Sequence, residues 1–129
     1  MSDWVWVDKR VVLAIHEEQI AEHGGATGLR DEGLLESALA RPINRSTYGK
    51  TNVANLAAAY GYGLIRNHPF IDGNKRISLV VTELFLMLNG YELTASDAEC
   101  LERFLELAEG SLSEEEFADW LRGFFLNVI

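Results

Sequence analysis

Apolar residues recur at helical spacing along most of the chain, and the breaks between those stretches carry glycine, proline or a short polar residue. Val11, Val12, Ile15 and Ile20, with Gln19, approximate one helical stripe behind a capping Asp8; this predicts a first helix to His23, ended by Gly24-Gly25. Asp31 opens a second stripe of Leu34, Leu35, Ala38 and Leu39 that Pro42 should stop. Thr51 or Asn52 caps a third helix, Val53 to Asn67, whose middle holds Ala57, Ala58, Ala59, Gly61 and Gly63. Glycine weakens a helix, so its presence there implies that a neighbour packs closely against the backbone.

A fourth helix, about Gly73 to Leu88, is apolar on nearly every side (Ile77, Leu79, Val80, Val81, Leu84, Phe85, Leu86, Met87, Leu88) and is expected at the centre of the molecule. Asn89-Gly90 ends it. Thr94 or Ser96 caps a fifth helix to Leu107, and Ser113-Glu-Glu-Glu116 fits a capping box for a sixth, to about Phe125. No alternating strand stands out, although Asn44 to Lys50 could make a small hairpin or flap before the third helix. The expected fold is all-α: residues 1–129 as a single compact domain of about six helices around a buried central one.

Length and composition support that picture. A chain of 129 residues, 48% of them hydrophobic, can bury a core without staples. Cys100 is the only cysteine, which excludes an internal disulfide and suits a reducing cytoplasm; it reads as a buried structural thiol. The N-terminus lacks the basic start of a secretory signal, and no stretch approaches the roughly 18 apolar residues of a membrane span. Trp4, Trp6 and Trp120 read as packing residues.

The net charge of −9 argues against nucleic-acid binding, which needs a positive surface. Its distribution is uneven. Between residues 37 and 82, Arg41, Arg45, Lys50, Arg66, Lys75 and Arg76 oppose Asp72 alone, whereas residues 92 to 129 are strongly acidic. A positive middle in an acidic chain suggests a local anion site.

The stretch His68-Pro-Phe-Ile-Asp-Gly-Asn-Lys-Arg76 joins the third and fourth helices and is more polar than a connector needs to be. His68 can take a proton near neutral pH, as a base activating a hydroxyl must. Phe70 would anchor the loop. Asp72 is a hard oxygen ligand suited to a nucleotide-bound Mg²⁺. Gly73 and Asn74 can turn successive N–H groups toward one anion at a helix start, and Lys75 and Arg76 would add charge to the same phosphates. Each residue also has a plainer explanation: His68 as a cap or packed side chain, Asp72 as a helix cap, Gly73-Asn74 as a turn, Lys75-Arg76 as a solvated pair. A base, a metal ligand, a nest and two cations within nine residues favour the functional reading.

Other motifs fail. Gly73-Asn-Lys-Arg76 lacks the upstream glycine, following hydroxyl and preceding strand of a Walker loop. His16-Glu17 does not complete a zinc signature, because residue 20 is Ile, so His16 and His23 read as helix-surface residues.

The loop resembles the signature of the Fic/Doc family, H-x-F-x-[DE]-G-N-G-R-x-x-R in its Fic branch, through His68, Phe70, Asp72, Gly73, Asn74 and Arg76. Lys75 stands for the second glycine and Leu79 for the last arginine, as in the Doc (death-on-curing) branch. His23-Gly-Gly25, Gly28-Leu-Arg-Asp31, Leu34-Leu-Glu-Ser37, Arg41-Pro42, Tyr48-Gly49 and Asn89-Gly-Tyr91 extend the likeness over about residues 10–125.

The resemblance implies an all-helical fold with a flap at about Arg41 to Lys50. It implies ATP as co-substrate, Mg²⁺ on Asp72, His68 as base, and Gly73, Asn74, Lys75 and Arg76 as phosphate cradle. In the Doc branch it implies a toxin kinase that passes the γ-phosphate to a threonine of translation elongation factor Tu, held inactive by an antitoxin chain. A Fic-type adenylyltransferase and a catalytically silent binding module are the alternatives. The self-inhibitory [ST]-x-x-x-E-[GN] run of many Fic proteins is absent; its nearest approach, Ser111 to Glu116, ends in Glu, so inhibition is expected from another chain.

Overall fold

The structure, a computed structural model, describes residues 4–49 and 52–128. Five of its helices begin where a side chain replaces the missing carbonyl. Asp8 accepts from the Arg10 N–H at 2.7 Å and opens α1, Lys9–His23. Asp31 accepts from Leu34 at 3.0 Å and opens α2, Glu32–Tyr48. Asn52 accepts from Asn55 at 3.0 Å and opens α3, Val53–Asn67. Capping boxes at Ser96/Glu99 and Ser113/Glu116 open α5, Asp97–Glu109, and α6, Glu114–Arg122. Such caps satisfy N–H groups that the helix cannot. The remaining helix, α4, Asn74–Leu88, starts at Gly73 with no side-chain cap.

The expected all-α fold is therefore observed, and α3 is its centre. Eleven residues of α3 are buried, and it packs against α2, α4, α5 and α6. The fourth helix, expected in that place, is buried along one side but leaves Met87 and Leu88 exposed at its end. The α3 glycines explain the difference. A Cβ on Gly61 would lie 2.8 Å from Thr82 Oγ1 and 3.0 Å from the Phe117 ring, and one on Gly63 would lie 3.3 Å from the Ala38 carbonyl oxygen. A side chain at Gly61 would thus collide with α4 and crowd α6, and one at Gly63 would crowd α2. Ser78 Oγ uses this proximity to donate to the Gly61 carbonyl at 2.7 Å.

Pro42 does not stop α2, and the hairpin or flap expected before α3 is not formed by the described residues. Residues 41–48 are the last turns of the helix instead; Lys50, the end of the expected flap, and Thr51, a candidate cap, lie outside the described residues. Proline removes the N–H that would bond the Ala38 carbonyl. Beyond it, Arg41 and Arg45, one turn apart, both reach the carboxylate of Glu114 on α6, and the Arg41 guanidinium lies 4.8 Å over the Tyr62 ring. The Ser46 and Thr47 hydroxyls donate to the Ile43 carbonyl. These contacts require helical spacing, and they hold the segment helical past the proline.

The chain also ends differently from its sequence pattern. Instead of continuing to Phe125, α6 stops before Gly123, and two short strands pair antiparallel: β1, Tyr91–Leu93, and β2, Phe125–Asn127, with Tyr91 opposite Asn127 and Leu93 opposite Phe125. Both the Thr94 N–H and its hydroxyl bond to the Phe124 carbonyl, and the Tyr91 and Phe125 rings meet edge to face at 5.1 Å. Trp4 and Trp6 pack on Phe85 and Trp120 on Phe117, as expected of packing residues. Cys100 is buried as expected, and burial, then the nearby Glu83, Asp97 and Glu99 charges, push its thiol up to about 11. Among the described residues no helix is long and apolar enough to cross a membrane.

Candidate active site

The loop between α3 and α4 is braced from both sides. His68 caps α3 in the left-handed region, at φ 52, the only non-glycine residue with positive φ among those described. Asparagine, aspartate or glycine holds such a position more cheaply. Opposite it, the segment between α1 and α2 binds the loop through its backbone: Arg30 and Asp31 N–H groups donate to the Pro69 carbonyl, and Ile71 N–H donates to the Gly28 carbonyl at 3.1 Å. The Arg30 side chain adds two bonds, from Nε to the His68 carbonyl at 2.7 Å and from Nη2 to the Asn67 carbonyl at 2.9 Å. A guanidinium on the last carbonyls of α3 also suits the negative end of the helix dipole.

Phe70 is buried and anchors the loop as expected. Asn74 fastens it from the other end: its Oδ1 accepts from the Phe70 N–H at 3.0 Å and its Nδ2 donates to the Phe70 carbonyl at 2.9 Å. The side chain of Asn74 is consumed by this pair and buried, so only its backbone N–H remains for a ligand.

Asp72 is exposed, with Oδ1 on the Gly73 N–H at 3.0 Å and Oδ2 on the Ala26 N–H at 3.2 Å. It is not the N-cap of α4; Gly73, at φ 78, holds that place without a side-chain bond. A Cβ on Gly25 would stand 2.8 Å from Asp72 Oδ2, so the glycine makes room for the carboxylate. His68, Asp72, Gly73, Asn74, Lys75 and Arg76 together line a cleft of about 850 Å³, whose remaining lining is the apolar Ile65, Ile71, Leu101, Leu105 and Ala108 and the acidic Glu102. All six residues singled out from the sequence thus meet in one cleft. Lys75 and Arg76 are exposed there and pair with no carboxylate of the described residues. Leu79, one turn further along α4, is buried in the core and brings no charge to the cleft.

Two supporting residues escaped the sequence. Arg30 lies within the Gly28-Leu-Arg-Asp31 stretch, which the family resemblance had marked without a physical role. His16, expected on the helix surface, is buried at 3% exposure. Its ring stacks on Phe70 at 3.8 Å between centroids, 13° from parallel, and its Nε2 lies 2.8 Å from the Asp72 carbonyl oxygen. A legible signal existed: Val12, His16 and Ile20, the buried residues of α1, follow a four-residue spacing.

Comparison with known proteins agrees with this geometry. A model of the Fic/DOC family matches residues 6–86. "Protein kinase doc" of Escherichia phage P1 is 33% identical over 112 residues, covering 86% of this chain and 88% of that protein. "Toxin Doc" of Mycolicibacterium smegmatis is 38% identical over 106 residues, covering 78% and 81%. A "Protein adenylyltransferase Fic" of Drosophila erecta is 38% identical over 64 residues, half of this chain but 13% of that larger protein. With its signature loop, its helical fold and these relatives along most of its length, the chain belongs to the Fic/DOC family.

Proposed function

We propose that this chain is a Doc-like toxin, a protein kinase that transfers the γ-phosphate of ATP to a hydroxyl of a target protein. The observation that carries the reading is the start of α4. It is the one described helix start without a side-chain cap, and its first residues, Asn74, Lys75 and Arg76, line the cleft that holds His68 and Asp72. A helix N-terminus with unsatisfied amides and two adjacent cations is built to receive phosphate. The apolar residues of the cleft, beside Glu102, offer a surface to a purine ring.

In this reading Asn74 contributes its backbone N–H to the phosphates, Gly73 shares with them the N–H that now bonds Asp72 Oδ1, and Lys75 and Arg76 add their charges. His68 takes the proton of the target hydroxyl as its oxygen attacks the γ-phosphorus; the P–O bond to the β-phosphate breaks and ADP leaves. The described residues hold no group of three or more His, Cys, Asp or Glu side chains able to hold a metal by themselves, which fits an ion that arrives with the nucleotide. Asp72, carboxylate exposed at the cleft, would hold Mg²⁺, which neutralises phosphate charge when bound.

Two features favour γ-phosphate over adenylyl transfer. Lys75 replaces a glycine beside the inner phosphates, and Leu79 is a core residue where the Fic signature has an arginine. The name of the phage P1 relative, a protein kinase, points the same way, and that of the M. smegmatis relative supports a toxin. We take residues 1–129 as one functional unit, acting in the cytoplasm on a threonine of translation elongation factor Tu and so blocking translation, and restrained by an antitoxin in trans. The Fic relative keeps adenylyl transfer as the second reading.

One experiment separates them. The protein and a His68→Ala control are incubated with bacterial lysate, Mg²⁺ and ATP labelled at the α or the γ position. Label from γ alone, absent with His68→Ala and found as phosphothreonine on elongation factor Tu, is the expected result. Label from the α position overturns the kinase assignment, and no His68-dependent label from either favours a silent binding module.

A further inference from the structure

The geometry points to His16 as a positioning residue of the phosphate site, one that sets the Asp72–Gly73 peptide so that the carboxylate of Asp72 and the amides of α4 face the cleft. This rests on the phosphate-binding reading above. A carbonyl oxygen can only accept, so the 2.8 Å contact requires that His16 Nε2 carry the proton and donate to the Asp72 carbonyl. No described peptide bond is cis, and in a trans peptide the C=O and the N–H point in opposite directions. Holding the Asp72 carbonyl inward therefore turns the Gly73 N–H outward, where it bonds Asp72 Oδ1 at 3.0 Å. One hydrogen bond from a buried histidine so orients both the carboxylate and the first amide of the helix start.

Three further observations show that the arrangement is built around His16. The ring stacks on Phe70, whose N–H and carbonyl are both tied to Asn74, so the loop is fixed on either side of Asp72. Gly73 stands at φ 78, where a side chain is strained. A Cβ there would also lie 3.6 Å from His16 Nε2 and 3.2 Å from Ile20 Cδ1, so the α1 stripe fills the space behind the glycine. Without an inward donor the Asp72 carbonyl loses its partner, the Asp72–Gly73 peptide can rotate within an otherwise braced loop, and the Asp72 carboxylate and the Gly73 N–H lose their common orientation.

The test is a comparison of His16→Gln, His16→Asn and His16→Phe with the wild type. The Gln amide nitrogen reaches about as far as imidazole Nε2, the Asn nitrogen only as far as Nδ1, and Phe keeps the stack without a donor. Affinity for ATP is measured by calorimetry in the absence of Mg²⁺, beside thermal unfolding and, in the labelling assay, KM for ATP and kcat. Expected are ATP affinities about tenfold weaker for Phe and Asn and within about threefold of wild type for Gln, with KM following affinity more than kcat does. Gln and Asn differ little as core residues, so a merely structural role would move both alike. Equal ATP affinity in the Gln and Asn variants, or wild-type affinity in all three, overturns the inference alone. A wild type that binds no ATP overturns the phosphate-site reading and the inference with it.

Discussion

Arg30 Nε donates to the carbonyl of His68 at 2.7 Å, and the residue so held is the only non-glycine one with positive φ among those described. A strained conformation persists where its surroundings over-determine it. Here the surroundings are the guanidinium and the two backbone amides on Pro69. Arg30→Met keeps an unbranched apolar stem as far as the Nε position but loses both hydrogen bonds. It is expected to lower kcat of the phosphate-transfer assay about 10- to 100-fold through misplacement of the imidazole. KM for ATP should move much less, because Arg30 touches no part of the proposed phosphate cradle. An unchanged kcat would show that His68 keeps its place without the clamp.

Asn74 is expected to matter first for stability. Its amide closes two bonds with the backbone of Phe70, and Asn74→Ala leaves both groups buried without a partner. The cost is about 2–4 kcal/mol, read from urea unfolding. Asn74→Asp places a carboxylate oxygen against the Phe70 carbonyl and should be at least as damaging. If the signature asparagine acted only on phosphate, both variants would unfold like the wild type.

Gly61→Ala would improve intrinsic helix propensity in α3 and is nevertheless expected to destabilise. The added methyl would stand 2.8 Å from Thr82 Oγ1 between the Phe104 and Phe117 rings, all of them buried. Overpacking of this kind costs about 1–3 kcal/mol. Thermal unfolding checks the sign; a rise in melting temperature would mean that α3 and α4 can separate at little cost.

Alkaline pH should loosen the fold by way of two buried acids. Burial pushes the Tyr60 hydroxyl up to about 12, against the opposing effect of the Val7 N–H that it accepts, and pushes the Cys100 thiol up to about 11. Both are raised above their unfolded values, so the unfolded chain gives up its protons first. Their stabilising effect is complete below about pH 9 and is lost as pH rises, first through the Cys100 window and then through the Tyr60 window. Melting temperature should therefore fall steadily above pH 9. In Tyr60→Phe the decline should be shallower above pH 10 and should level off near pH 11, where the Cys100 window closes, while stability at pH 7 drops by about 1 kcal/mol with the hydrogen bond to Val7. A parallel decline in both proteins would assign the alkaline loss to other groups.

What could be read from the chain was local. Caps at Asp8, Asp31, Asn52, Ser96 and Ser113 act on amides two or three residues away, and the helix starts follow from them. The nine-residue loop carried its chemistry in residue types, and all six chosen residues line one cleft because the loop itself keeps them together. The glycines of α3 announced close packing, although not which helix would approach.

Only the tertiary structure decided the rest, since each remaining feature depends on partners distant in sequence. Glu114 draws Arg41 and Arg45 onto one carboxylate and so carries α2 through Pro42, where local rules end the helix. Thr94 and Tyr91 convert the expected end of α6 into a strand. The neighbours of α3 on four sides make it the centre in place of α4. His16 passes for a surface histidine until a carbonyl 56 residues away lies beside it. Sequence determined which groups are available and where each helix begins; packing determined which of those groups hold the loop between α3 and α4 in place, because a hydrogen bond or a ring stack has no meaning until both partners occupy the same space.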